Sequence, residues 1–175
     1  MKNYKKNLEL LTKNFVYSKE MEHDACGVGL IASTEGKKSR EIVEYGIEAL
    51  KAVWHRGAVD ADGKTGDGAG IHVEIPKDFF IEKIQVTGHD YDNSEICVGM
   101  IFLPRNDYSA QENCKTIVES ELTKNNFSIY GWRQVPVNSK VLGEKAFQTM
   151  PEIIQVLFKS NDPNLLDKNL ERKIY

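Results

Sequence analysis

The chain has 175 residues, of which 41% are hydrophobic and 28% charged, and a formal net charge of −3 at pH 7, which is typical of one globular domain with a buried core. The small negative charge gives no electrostatic reason to expect nucleic acid or an anionic membrane as a partner, and we expect neither. No apolar stretch approaches the roughly 20 residues of a membrane-spanning helix, and no secretory signal is recognisable, so we expect a cytoplasmic protein.

Helices and strands are predicted in mixed order along the chain. The apolar run CGVGLIAS at residues 26–33 predicts a buried strand. Residues 40–56 follow with apolar side chains, from Val43 to Trp54, on one face of a helix and glutamates elsewhere. Further elements are predicted in this order: strands at 68–76 and 96–104, a helix at 109–125, a strand at 127–137, a short helix at 139–150 and a strand at 152–158.

The order of these elements predicts the fold class. Strands arrive in pairs and not in strict alternation with helices. This arrangement argues against a doubly wound parallel sheet and favours a mixed α+β fold. Residues 84–95, IQVTGHDYDNSE, are predicted to be a loop.

The cysteines and histidines suggest no metal site. Cys26, Cys97 and Cys114 are an odd number at wide spacing, without a CxxC pair, so neither a disulfide framework nor a zinc site is predicted. Cys97 lies in an apolar strand and Cys114 on a helix face, where we expect inaccessible thiols with raised pKa values. The four histidines are scattered and form no pair at a metal-ligand spacing.

A glycine-rich segment, GAVDADGKTGDGAGI, occupies residues 57–71. A phosphate-binding P-loop would need its first glycine at Ala58 and a helix after Thr65, and neither is present in the pattern. A calcium loop read from Asp60 would place Lys64 and Ile71 at positions that require oxygen ligands. The favoured interpretation is a tight loop between a helix and a strand.

Cys26 is the residue with two open interpretations. A catalytic thiol needs access, a base and a group that holds the substrate, and no histidine is placed by spacing to act as the base. If the chain is cut before Cys26, its own α-amino group, with a typical pKa near 7.7 to 8.0, can take the thiol proton. From residue type alone, a buried strand cysteine is favoured, because free cysteine is among the most buried residue types.

Several motifs together resemble one protein family. HDACGVGLIAS, LKAVWHRGAVDADGKTGDGAGI, IPKDFF, GWRQVPV and PEIIQVLF, in this order and spacing, are similar to the start of the glutamine amidotransferase domain of the glutamate synthase large subunit, a class II amidotransferase. The resemblance runs from about residue 22 to residue 175. It implies a four-layer αββα N-terminal nucleophile hydrolase fold, of which only the N-terminal part is present. Residues 1–25 then resemble a propeptide, and residues 26–175 a partial amidotransferase domain.

The resemblance also implies roles for individual residues. Cys26 corresponds to the nucleophile and Arg56 to the active-site arginine that binds the substrate glutamine. Arginine suits this role because its planar fork of donors can hold a carboxyl or carbonyl group. Gly27 and Gly29 allow close backbone approach near the nucleophile, or serve simple strand packing. In the family, the thiolate attacks the glutamine amide, ammonia leaves, and water cleaves the thioester to give glutamate.

The resemblance implies that parts of the site lie elsewhere. In the family, the oxyanion-hole Asn-Gly pair and the groups that hold the α-amino and α-carboxylate groups of glutamine come later than position 175, and this chain has no Asn-Gly dipeptide. We therefore expect a truncated product, weakly active or inactive alone. The full enzyme would use the ammonia to make glutamate from 2-oxoglutarate, with FMN and an iron-sulfur cluster outside this chain. Its partners would be the rest of the large subunit and a small subunit. The alternative is a noncatalytic fragment that acts as an interaction module or has no function.

Overall fold

The computed structural model describes residues 6, 9–10, 13, 27–53, 59–66, 68–165 and 167–174, and all structural statements concern these residues. The chain divides into two compact units, one made of Met1–Ala58 with Gly68–Ile71 and the other of Val59–Asp67 with His72–Tyr175. No described helix is long and apolar enough to cross a membrane.

The first unit contains helix α1, Arg40–Ala52, which confirms the helix predicted from residue 40 onward. The hydroxyl of Ser39 accepts a hydrogen bond from the Ile42 amide at 3.4 Å and so caps the first turn. Glu41 near the start and Lys51 near the end complement the helix dipole. Val43, Ile47 and Leu50 of the predicted apolar face are half-buried, and Trp54 lies outside the described residues.

Two predicted strands are wrong for the described residues. Residues 27–33 form no strand, and Val28 and Leu30 are 94% and 89% exposed. Residues 68–76 form no strand either. An apolar run becomes a strand only when a neighbouring strand satisfies its backbone hydrogen bonds, and no described strand pairs with these two segments.

The second unit carries the remaining elements. In chain order they are helix α2 Lys77–Val86, strand β1 Cys97–Leu103, helix α3 Tyr108–Lys124, strand β2 Phe127–Gln134, a 3-10 turn Ser139–Val141, helix α4 Glu144–Thr149, strand β3 Glu152–Ser160 and helix α5 Asp167–Ile174. The strands predicted at 96–104 and 152–158 and the helix predicted at 109–125 are confirmed. The strand predicted at 127–137 ends at Gln134, and the short helix predicted at 139–150 is divided into the 3-10 turn and α4. The loop predicted at 84–95 is wrong at its start, because α2 continues to Val86.

The three strands form one antiparallel sheet in the order β1-β3-β2. Since β1 and β2 both run antiparallel to β3, they are parallel to each other, and α3 connects them across the gap that β3 fills. A bulge lies between Ile129 and Gly131, where Gly131 adopts a φ of +146° that favours glycine. The predicted mixture of helices with an antiparallel sheet is therefore confirmed.

The core lies on both faces of β3, as its alternation requires. Leu157 and Val156 point to opposite faces and are 0% and 1% exposed. The Leu157 cluster contains Phe80, Ile84, Ile96 and Tyr130. The Val156 cluster contains Cys97, Phe127, Phe158 and Leu170. Burial on both faces explains why β3 is an almost continuous apolar run.

Candidate functional site

The two residues predicted to be catalytic, Cys26 and Arg56, lie outside the described residues. Gly29, in the segment that follows Cys26, has an open environment, since a Cβ at this position would have no described neighbour within 4 Å. The structure therefore offers no packing reason for glycine at this position. Val59, the first described residue after Arg56, follows it by three positions.

Residues 59–66 form a closed loop, which confirms the tight loop predicted from the glycine-rich sequence. Val59 and Gly66 face each other in an antiparallel bridge. Inside it, the Asp60 amide donates to the Thr65 carbonyl at 2.8 Å, and the Gly63 amide donates to the Asp60 carbonyl at 2.9 Å. Gly63 takes a φ of +68°, a left-handed conformation that glycine adopts without strain.

The carboxylate of Asp62 organises the interior of this loop. Its Oδ1 accepts hydrogen bonds from the amides of Lys64 at 2.9 Å and Thr65 at 2.7 Å, and its Oδ2 accepts from the Thr65 hydroxyl at 2.6 Å. These bonds, led by that of the Thr65 hydroxyl, hold the pKa of Asp62 well below its usual range. The amides that a P-loop would offer to a phosphate are thus already bound by a carboxylate.

The same loop packs against the N-terminus of α4. The Lys145 ammonium pairs with Asp60 Oδ2 at 2.7 Å, and the Ala146 amide donates to the Thr65 hydroxyl at 3.5 Å. Asp62 also accepts a backbone hydrogen bond from Lys145. Gly143, the N-cap residue, is buried directly against the loop. Nothing in the local sequence signals this contact, because its partners lie about eighty residues apart.

The two described cysteines differ from a catalytic thiol. Cys97 is buried in β1 and Cys114 is half-buried on α3. Burial, with a smaller contribution from the charge of Glu95, raises the pKa of Cys97 to about 11. Cys97 is therefore a protonated core thiol at neutral pH, as predicted from its place in an apolar strand.

A second polar cluster, in the loop between α2 and β1, centres on Asp92. Its carboxylate accepts hydrogen bonds from the Tyr130 hydroxyl at 3.0 Å and the Ser94 amide at 3.2 Å, and it pairs with the Lys159 ammonium. The ammonium lowers the pKa of Asp92, while burial and then the Asp92 hydrogen bond raise the pKa of Tyr130. At neutral pH Asp92 stays ionised and Tyr130 stays neutral. The cluster is thus suited to holding the loop and not to transferring protons.

An open groove of about 410 Å³ lies beside α3 and the ends of β2 and β3. Within the groove, Gln134 donates a hydrogen bond to Glu152. Two other lining residues contact neighbours outside it: Trp132 donates to Glu119 at 2.6 Å, and the Arg105 guanidinium lies 4.5 Å from the centre of the Phe147 ring. No group of three or more histidine, cysteine or acidic residues that could hold a metal ion occurs within the described part of the chain.

Comparison with known proteins gives a consistent family match. The family model described as glutamine amidotransferases class-II matches residues 26–175. The chain is 52% identical over 172 residues to the glutamate synthase [NADPH] large chain of Azospirillum brasilense, covering 98% of this chain and 11% of that protein. It is 38% identical over 167 residues to the ferredoxin-dependent glutamate synthase of Pyropia yezoensis, covering 95% and 10%.

A third relative, from a fungus, is also similar over most of the chain. The chain is 35% identical over 173 residues to the glutamate synthase [NADH] of Saccharomyces cerevisiae, covering 93% of this chain and 8% of that protein. The chain thus spans about a tenth of the length of the curated relatives it matches. These matches confirm the resemblance drawn from the sequence motifs.

Proposed function

The chain belongs to the class II glutamine amidotransferases, as a domain of the glutamate synthase type, and we propose that it carries the nucleophile that hydrolyses glutamine to glutamate and ammonia. The observation that carries this proposal is the family match over residues 26–175, which begins at Cys26. The start of the match at a cysteine supports the boundary between a lead of residues 1–25 and a catalytic domain from residue 26.

The proposed reaction is a two-step hydrolysis through a thioester. After removal of residues 1–25, the α-amino group of Cys26 takes the thiol proton, and the thiolate attacks the amide carbon of glutamine. The C–N bond breaks, the proton passes to the leaving nitrogen, and ammonia departs. Water then cleaves the thioester, which releases glutamate and restores the thiol. Arg56 holds a carboxyl or carbonyl oxygen of the substrate through its fork of N–H donors.

The burial of the other two cysteines, Cys97 and Cys114, supports Cys26 as the nucleophile. Cys97 is 5% exposed and its pKa is about 11, so it is poorly suited to attack. Cys114 is half-buried on the helix that covers one face of the sheet. Neither residue falls in the motifs on which the family resemblance was drawn.

We further propose the four-layer αββα architecture for the complete domain. The antiparallel sheet with helix α3 on one face is compatible with half of such an arrangement. On the opposite face, α2 covers the Leu157 cluster with Phe80 and Ile84, while Met100 and Phe102 of β1 stay 48% and 64% exposed. A second sheet packed on this face would bury them and remove the cost of exposed apolar area.

In the whole enzyme, the ammonia would be used to form glutamate from 2-oxoglutarate. The two described cysteines, Cys97 and Cys114, lie on different elements, and no metal-ligating group of three is formed within the described ranges, so these residues do not fit an iron-sulfur site. FMN, the iron-sulfur cluster, the oxyanion donors and the groups that hold the ends of glutamine are proposed to come from the rest of the large subunit, with a small subunit as a further partner in the cytoplasm.

The proposed function is tested by ammonia release from glutamine, measured on the complete gene product that contains these residues. Replacing Cys26 by serine should reduce the rate at least about a thousandfold, because the nucleophile is removed. Cys114→Ser is the matched control and should retain activity. N-terminal sequencing of active protein should begin Cys-Gly-Val-Gly. Retained activity in Cys26→Ser, or active protein that still begins at Met1, would overturn the proposed nucleophile, whereas a complete gene product that releases no ammonia from glutamine would favour a noncatalytic interaction module.

A further inference from the structure

We infer that the open groove beside α3 binds an extended acidic segment from the rest of the polypeptide to which this domain belongs. The groove has a volume of about 410 Å³, and the lining residues that carry the inference are Arg105, Tyr108, Lys115, Trp132, Arg133 and Glu152. The inference does not depend on Cys26. It shares with the proposed function only the expectation that this chain is one domain of a longer protein.

The first observation is that two arginines of the lining have no acidic partner. Arg105 and Arg133 are both half-buried, and neither forms an ion pair with a carboxylate of the described residues. A half-buried guanidinium without a counter-charge has lost part of its hydration and gained no opposite charge in return. A carboxylate that enters the groove therefore finds two cations that are not yet neutralised.

The second observation is that aromatic rings already hold both guanidinium groups in place. Arg105 lies 4.5 Å from the centre of the Phe147 ring and donates to the Phe147 carbonyl at 3.5 Å. Arg133 lies 5.1 Å from the centre of the Phe79 ring and donates to the side-chain oxygen of Gln155 at 2.6 Å. A guanidinium has several more N–H donors than these contacts use. Since a fixed planar fork binds a carboxylate through two parallel hydrogen bonds, both arginines are preorganised for one.

The third observation is the charge of the groove. Its lining contains one carboxylate, Glu152, and three cations, which are Arg105, Lys115 and Arg133. Lys115 pairs with Glu112 at 2.8 Å, and this pair still leaves two arginines against one glutamate. The groove is thus positive in a chain whose formal net charge is −3. Charge complementarity therefore favours an acidic ligand.

The fourth observation is the separation of the two arginines. Arg105 follows β1 and Arg133 lies on β2, and β3 separates these two strands in the sheet. Two strand spacings amount to about 10 Å, and the guanidinium groups are held on rings of different helices, Phe147 of α4 and Phe79 of α2. One small oxyanion is too short to bind both forks, whereas an extended peptide with several acidic residues can bind both.

The aromatic side chains of the groove also favour a peptide as the ligand. Tyr108 is 78% exposed and Trp132 is half-buried. Tyrosine, tryptophan and arginine are the residue types that dominate binding energy in protein interfaces, and all three line this groove. The chain spans about a tenth of the length of its curated relatives. A segment of the same polypeptide is therefore the partner with the highest effective concentration.

The test is cross-linking of the purified complete gene product with a carbodiimide, which joins a lysine amine directly to a carboxylate in contact with it, followed by peptide mass mapping. Lys115 lines the groove and reports what occupies it. Lys124 is the matched control, because it lies on the same helix and pairs with Glu121 at 2.6 Å, as Lys115 pairs with Glu112, but does not line the groove. We expect Lys115 to be joined to acidic residues later than position 175, and Lys124 only to residues within this chain.

Two variants test whether the arginines hold the segment. Arg105→Gln combined with Arg133→Gln should lower the yield of the Lys115 cross-links to that segment at least about tenfold, while the Lys124–Glu121 product stays unchanged. Arg105→Lys places an amine in the groove and should give a new cross-link to the same acidic segment. This second variant keeps the inference testable if the double variant does not fold.

Three results would overturn the inference. The first is that Lys115 is cross-linked only to carboxylates within residues 1–175, as Lys124 is. The second is an unchanged yield in the double variant. The third is cross-linking of Lys115 between isotopically labelled and unlabelled copies, which would assign the groove to a second copy of the protein. None of these measurements uses ammonia release, so their failure is distinguishable from failure of the proposed function.

Discussion

The thiol of Cys97 allows a quantitative test of which cysteine reacts. With a pKa raised to about 11, about one Cys97 side chain in ten thousand is a thiolate at pH 7, against about one in a hundred at the ordinary value of 9.0. Intrinsic nucleophilicity rises with pKa and regains about tenfold of this hundredfold loss. The raised pKa should therefore make Cys97 react about tenfold more slowly than an ordinary cysteine. Its 5% exposure hinders the reagent further.

The assay uses peptide mass mapping to follow labelling of the protein by two reagents, one of them applied to both native and unfolded protein. In urea, iodoacetamide should modify Cys97 at least about ten times faster than in the native protein at the same pH. In the native protein, the glutamine analogue 6-diazo-5-oxo-norleucine should label Cys26 only, and the variants Cys97→Ser and Cys114→Ser should be labelled as the wild type is.

Two results would refute this reasoning. Equal iodoacetamide rates at Cys97 in native and unfolded protein would show that neither burial nor its raised pKa protects the thiol. Labelling of Cys97 or Cys114 by the glutamine analogue, with Cys26 unmodified, would show that the nucleophile has been assigned to the wrong residue.

The remaining predictions concern the sheet and the loop beside it. Gly131→Ala places a Cβ 2.8 Å from Thr87 Cγ2 at a φ of +146°, and should destabilise by roughly 2–4 kcal/mol; an unchanged urea midpoint would contradict this. Tyr130→Phe removes the hydrogen bond to Asp92 and should cost about 1–3 kcal/mol, with faster amide exchange in that loop; unchanged exchange would argue against the role. Lys159 lowers the pKa of Asp92 in the folded protein. The ionised Asp92 therefore stabilises the fold above its unfolded pKa of about 4, and this stabilisation is lost as the pH falls from there through the lower folded pKa. Asp92→Asn should remove this acid dependence, so identical pH profiles of unfolding for both proteins would contradict the assignment.

The strands of the sheet follow from the sequence because composition and boundaries agree. β1 and β3 are apolar runs, and Pro104 ends the first while Pro151 precedes the second. Residues 27–33 and 68–76 have similar apolar character, yet they form no strand in the structure. The difference lies in pairing, which depends on distant residues and leaves no mark on the local pattern.

The sequence of helix α2 contains a helical periodicity. Its buried residues Phe80 and Ile84 are spaced by four positions, as one face of a helix requires. The spacing of Phe80 and Ile84 therefore predicts a helix that includes residue 84, where a loop is predicted to begin.

Only one part of the candidate site can be predicted from the sequence. Cys26 and Arg56 came from the family motifs, because residue type alone favoured a buried thiol at 26. The contact of Gly143 with Thr65 could not be predicted, since a glycine with ordinary backbone angles carries no local signal of a neighbour so far away in the chain.

The central position of β3 sets the order in which the sheet can be built. β1 and β2 leave the ribosome first, and each pairs only with β3 among the described strands. No β-hairpin can therefore form early, and Cys97 cannot pair with Phe158 until β3 has been synthesised. Until Glu152–Ser160 emerges, both apolar strands present open edges to chaperones or to other nascent chains. Its arrival should close the sheet in one cooperative step, slow because every pairing of β1 spans a long stretch of chain.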